Sequence, residues 1–166
     1  MAAAAGNKEI LDILARYRGI DSVPDEWMNV ANLRNAVEDG DDSTIEHLVN
    51  GGVDPNVADV DGWTPLFLAA YYRHEQVVRM LLSAGVKPNQ VAHSSGDTPL
   101  HLAARDGPYE IVKALVEAGA SIEARDEDGR TPAMLAKEYR KIKIWRYLQR
   151  CEKDREERKQ ETPGSA

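Results

Sequence analysis

The chain is poor in the residues that build a thick core or a covalent scaffold: it has one cysteine, Cys151, and one phenylalanine, Phe67, among 166 residues. A lone cysteine excludes an intramolecular disulfide framework and fits a reducing compartment, so the cytoplasm or the nucleus is expected. Apolar runs stop after a few residues, which leaves no segment to span a membrane. Met1 to Gly6 lacks the charged n-region of a secretory leader, and none is expected. Positive charge is also short: 21 Lys and Arg against 28 Asp and Glu give a net charge of −7. That balance argues against nucleic acid as the main ligand, because phosphate binding needs a continuous basic track. His47, His74, His93 and His101 are too scattered for a zinc site, no second cysteine is available, and there is no phosphate-cradling glycine loop. No metal, cofactor or catalytic residue is expected.

What the chain has in quantity is self-similarity. Thr64-Pro65-Leu66, Thr98-Pro99-Leu100 and Thr131-Pro132-Ala133 restart at intervals of 34 and 33 residues. Such a period marks a stacked repeat. Thr at each restart can cap a helix, and the Pro after it occupies the first helical position, where its missing N–H costs nothing. The helix that follows is short and small-faced: Leu66, Leu68, Ala69 and Ala70, then Leu100, Leu102, Ala103 and Ala104. A second helix carries apolar residues at helical spacing, Val77, Val78, Leu81 and Leu82 in one copy and Ile111, Val112, Leu115 and Val116 in the next. Gly52, Gly85 and Gly119 are placed to end these second helices in the left-handed conformation.

Counting back one period exposes a first copy without Thr-Pro. Leu33, Ala36 and Val37 fall in register with Leu66, Ala69 and Ala70, and its polar Arg34, Asn35, Glu46 and Asn50 suit an end repeat with one neighbour. The last copy (Leu135, Ala136, Ile142, Ile144, Trp145, Leu148) has no closing glycine, as a C-terminal cap should. Four repeats are therefore expected, with the outer two atypical.

Asp or Ser, then Gly, then a variable residue precedes each restart (Gly62-Trp63, Gly96-Asp97, Gly129-Arg130), and the middle copy reads Thr98-Pro99-Leu100-His101-Leu102-Ala103-Ala104. This pattern closely resembles the ankyrin repeat. The resemblance implies an all-α solenoid, an ankyrin stack with a helix-turn-helix and a β-hairpin or loop per repeat. The repeat domain is expected over residues 29–152, as repeats of about 29–61, 62–95, 96–128 and 129–152. A helical extension over 1–28 precedes it, and a charged, disordered tail over 153–166 follows, entered by a helix that frays across Cys151 to Gln160. Within the extension, Ile10, Leu11, Ile13, Leu14 and Tyr17 form a helical face suited to cover the first repeat, and Ser22-Val23-Pro24-Asp25 reads as a helix start leading to Trp27, Val30 and Leu33. In ankyrin-like repeats a His at position 101 hydrogen-bonds its turn. Phe67 and Met134 replace it in the neighbouring copies, whose turns must be held by packing.

The resemblance also implies a function: binding a protein or peptide on the concave face, with no catalysis, no nucleic acid or membrane partner, and a monomeric state. The alternative role is a regulatory subunit or inhibitor of an enzyme such as a kinase, a phosphatase or a proteasome component. Loop tips (Val60, Asp61 and Trp63; Ser94, Ser95 and Asp97; Glu127, Asp128 and Arg130) and helix exits (Glu38 and Asp39; Tyr71, Tyr72 and Arg73; Arg105 and Asp106; Glu138 and Tyr139) form that face. Trp63, Tyr71, Tyr72 and Arg73 are residue types that dominate binding hot spots. Together with Asp97, Arg105, Arg130, Tyr139, Glu38 and Asp39 they make up the expected binding set. Glu38, Asp39, Asp41 and Asp42 would face a basic part of the partner. Two irregularities stand out: residues 1–62 carry 13 acidic and 4 basic side chains whereas 137–166 carry 6 and 10, and the stretch from Gly85 to Thr98 holds one extra residue.

Overall fold

The computed structural model describes residues 25–161 except 60, 93 and 94. Among the described residues eight helices follow one another: α1 (Asp25–Asp39), α2 (Asp42–Asn50), α3 (Pro65–Tyr71), α4 (Glu75–Ser83), α5 (Pro99–Asp106), α6 (Tyr109–Glu117), α7 (Pro132–Glu138) and α8 (Ile142–Glu161). The expected helix over residues 7–18 and the Ser22–Pro24 start of the helix after it lie outside the described residues, as do Val60, Ser94 and residues 162–166.

Each restart folds as its residues dictate. Thr64, Thr98 and Thr131 have nearly the same extended backbone, φ −90 to −91° and ψ 163 to 164°, and each hydroxyl accepts the N–H three residues on. The three turns therefore share one geometry although only one repeat has the histidine. What replaces it is an aspartate at the loop base. Asp59 accepts the N–H groups of Asp61 (3.0 Å) and Trp63 (2.8 Å), and Asp126 accepts the N–H of Arg130 (2.8 Å). Where a β-hairpin or loop was expected, no strand forms among the described residues. Two backbone bonds close each loop: Asp59 N–H donates to the Trp63 carbonyl and Gly62 N–H to that of Asp59, and Asp126 N–H donates to the Arg130 carbonyl and Gly129 N–H to that of Asp126. In the middle repeat Ala92 N–H reaches the carbonyl of Asp97, one residue further along, so the extra residue sits between Ala92 and Asp97. Gly96, at φ +66°, lies there, and a Cβ on it would come within 2.9 Å of the Glu127 backbone nitrogen.

Gly52, Gly85 and Gly119 take φ of +92°, +80° and +89°, as their spacing predicted. The residues after them return N–H bonds to Leu48, Leu81 and Leu115, closing the second helices in the double-bonded left-handed cap.

Helices α1, α3, α5 and α7 pack side by side in one layer and α2, α4, α6 and α8 in the other, each helix also packing on its hairpin partner. Ala69, Ala70, Ala103, Ala104 and Ala136 are all buried at the inner layer, where their small side chains allow close approach. Neighbouring helices pack more closely within that layer than within the outer one. The core runs as one continuous cluster from Leu33 to Leu148.

One register column explains how the repeats are joined. Arg34, Phe67, His101 and Met134 occupy the same position in successive copies; Arg34 and His101 reach the loop of the next copy, whereas Phe67 meets the Trp63 ring of its own. Arg34 pairs with Asp59 of the following loop, so this polar residue serves the neighbour side and not the open end where the sequence reading placed it. Phe67 is buried under Trp63, with ring centroids 5.3 Å apart. His101 is fully buried, its Nε2 donating to the Arg130 carbonyl at 3.0 Å and its Nδ1 accepting from Thr98 N–H at 3.2 Å. Met134, with no described repeat beyond it, stays 50% exposed.

Asparagines supply a second link. Asn56 Oδ1 accepts from Lys87 N–H (2.9 Å) and Asn89 Oδ1 from Ser121 N–H (2.7 Å), each reaching into the next repeat. Their signal was present in the sequence as Pro55-Asn56 and Pro88-Asn89, one period apart.

The C-terminal end departs from expectation. Where a fraying helix and a disordered tail from residue 153 were expected, α8 continues to Glu161. Its charges are arranged to hold a helix: Lys153 faces Glu157 at 3.6 Å, and Arg155 reaches back to Glu123 of the third repeat at 4.0 Å. Ile144 and Leu148 are buried, whereas Ile142 is 47% exposed.

Candidate functional site

In each repeat from the second on, the loop residue before the capping Thr meets the residue leaving the first helix. Trp63 touches Tyr71 (ring centroids 5.5 Å), Asp97 faces Arg105 (4.0 Å), and Arg130 faces Glu138 (4.0 Å). The spacing is the same in all three, so the pairs line one face of the stack. Of the expected set, Trp63, Tyr71 and Tyr72 come together, as do Asp97 with Arg105 and Arg130 with Glu138. Glu38 and Asp39 stand in register with Tyr71 and Tyr72, and Tyr139 with Tyr72.

The second repeat carries a run of rings. Trp63 contacts Phe67 and Tyr71, Tyr71 meets Tyr72 edge-on at 5.1 Å, and Tyr72 stacks on His74 at 6.1 Å. Tyr71 and Tyr72 are 49% and 43% exposed. Trp63, expected to face solvent, is half-buried: it folds back onto Phe67 and overhangs a cleft of about 50 Å³ lined by Val30, Val57, Pro65 and Leu68. His74 Nε2 lies 2.9 Å from the Glu38 carbonyl, which ties the ring run to the end of α1.

Two carboxylates expected on the partner-facing surface have other duties. Asp97 is only 8% exposed, so it supports Arg105 and presents little of itself to a partner. Asp41, expected among the partner-facing carboxylates, caps α2. Hydrogen bonds from the Thr44 hydroxyl, the Thr44 N–H and the Ser43 hydroxyl occupy it and bring its carboxyl down to about 2.

Electrostatics sort the arginines of this face. Arg34 bonds Glu38 and Asp59, Arg105 bonds Asp106 at 2.7 Å, and Arg130 bonds Asp126 at 2.8 Å and Asp128 at 2.7 Å. Burial alone would raise the carboxyls of Asp59 and Asp126. Backbone N–H donors and these arginines outweigh it and hold both below the ordinary carboxylate range. Arg73 has no carboxylate partner among the described residues, and like Arg140 in the same register it sits in the left-handed region, at φ 63° against 57°.

No group of three or more His, Cys, Asp and Glu among the described residues is placed to hold a metal ion, and no described helix is long and apolar enough to cross a membrane.

The sequence model described as ankyrin repeats, in three copies, matches residues 33–126, more than half of the chain. Over 92 residues the chain is 42% identical to neurogenic locus notch homolog protein 4 of Homo sapiens, a match covering 55% of this chain and 5% of that protein. It is 50% identical over 44 residues to calmodulin-binding transcription activator 6 of Arabidopsis thaliana, covering 26% of this chain and 5% of that one. It is 37% identical over 57 residues to an ankyrin repeat protein of Fowlpox virus, covering 34% and 40%. The chain thus spans less than half the length of each of these relatives. Ankyrin repeats are protein–protein interaction modules, a non-catalytic binding fold. With the repeat register, the Thr-Pro caps and the two-layer helical stack in place, the chain belongs to the ankyrin repeat family.

Proposed function

We propose that the protein is a non-catalytic adaptor that takes up a segment of a partner protein along the inner-layer face, anchored on Trp63, Tyr71 and Tyr72. Arg73, Arg105, Arg130, Tyr139, Glu38 and Asp39 flank the anchor. The observation that carries this reading is the pair of half-exposed tyrosines joined edge to face and continued by Trp63. A contiguous aromatic surface of this kind is costly to leave in water and is the composition of a binding hot spot. None of these three side chains is needed to close a turn, since the Thr caps and Asp59 do that.

The test is affinity capture from an extract of the source cells with the native protein and with Tyr71→Ala/Tyr72→Ala, both shown to be folded by thermal melting. A protein retained by the native form and lost from the variant supports the reading, and equal retention contradicts it. If the captured protein is an enzyme whose turnover changes on binding, the role is that of a regulatory subunit.

A further inference from the structure

Successive repeats place Asp39, Tyr72, Asp106 and Tyr139 in one register row on the inner layer, alternating carboxylate and phenol. Tyr72 and Tyr139 are 43% and 46% exposed, and the Asp106 side chain is 46% exposed. Asp39 is exposed and makes no ion pair among the described residues; Asp106 uses one oxygen on Arg105 and keeps the other open. Asp61, on the loop before Trp63, is exposed with its carboxylate equally unpaired. Arg34, Arg105 and Arg130 do not offset these carboxylates, because each is already bonded within the molecule, which leaves Arg73 beside Tyr72 as one open cation against the three. The aromatic run thus lies between open carboxylates, and ring faces beside carboxylates attract cations.

Resting on the reading above, we propose that the bound segment is cationic: an extended strand crossing α1, α3 and α5 that sets one Lys or Arg over Asp39, another over Asp106, and an apolar side chain between them on Tyr71 and Tyr72. Packed helices lie roughly 10 Å apart and an extended chain advances about 3.3 Å per residue, so the two basic residues stand about six positions apart. Acidic partners are repelled by the same carboxylates.

A phage-displayed library of random dodecapeptides, selected on the full chain, tests this. The proposal predicts selected peptides with two Lys or Arg about six positions apart around an apolar residue. Their binding is lost with Tyr71→Ala/Tyr72→Ala, and it is about tenfold weaker with Asp39→Asn/Asp106→Asn at low salt, the upper range for two exposed charge pairs, fading as salt rises. Neutral or acidic peptides that need the tyrosines, or basic ones indifferent to the Asn variant, would overturn the cationic partner while leaving the aromatic face standing. Peptides indifferent to the tyrosines, or no selected peptide at all, would overturn both.

Discussion

At the scale of single residues, one register column offers a controlled comparison. Phe67, His101 and Met134 hold the same position under different burial. Phe67→Ala removes a buried ring and should cost about 3–5 kcal/mol. His101→Ala leaves the Thr98 N–H and the Arg130 carbonyl without a buried partner, costing roughly 3 kcal/mol. Met134→Ala, half in water, should cost less than about 1 kcal/mol. Urea denaturation of the three variants checks the order. Asp59 and Asp126 give a pH dependence. Their folded carboxyls titrate below the unfolded ones, so their stabilisation is complete above about pH 4 and is lost as pH falls through the lowered values. Urea melts on acidification should show a plateau that falls away below about pH 4, and Asp59→Asn should lower the plateau and flatten the fall.

Among helices and turns, the left-handed arginines are the informative exception. Gly40 takes φ +70° in the same register as Arg73 and Arg140, which pay a Cβ clash that glycine avoids. Arg73→Gly should therefore stabilise the fold slightly, by up to about 1 kcal/mol after the entropy of a freer unfolded chain is subtracted, which a raised thermal midpoint would report. The last repeat makes a larger claim. Removing residues from Gly129 onward strips His101 of its carbonyl acceptor and uncovers the faces of α5 and α6. That truncation should aggregate, and a monomer with an unchanged melt on analytical ultracentrifugation and calorimetry would contradict the capping role of α7 and α8.

These elements also show what the sequence made legible. The Thr-Pro starts, the glycine stops and the four-repeat count are local signals, because caps and left-handed residues are set by the residues that occupy them. The loop-base role of Asp59, the pairing of Arg34 with it and the Asn56 and Asn89 links depend on which repeat faces which, and only the stack supplies that. Along α8 the four-residue spacing of Lys153 and Glu157 was legible, whereas the reach of Arg155 back to Glu123 of the third repeat was not, because it too depends on the stack. Within the site, burial decided what spacing could not: Asp97 and Trp63 share a register position, yet one is tucked against Arg105 and the other half-covers Phe67.

Across the whole molecule, the two layers divide labour. The outer helices and the buried inner faces hold the stack, and the inner-layer exits and loop ends are left to carry an aromatic centre among carboxylates. The most direct measurement of that claim is a hydrogen-exchange footprint of the captured partner on the intact protein. Slowed exchange is predicted over residues 61–73 and 95–106, with none in α2 and α4. Protection confined to α2, α4 and α6 would contradict it.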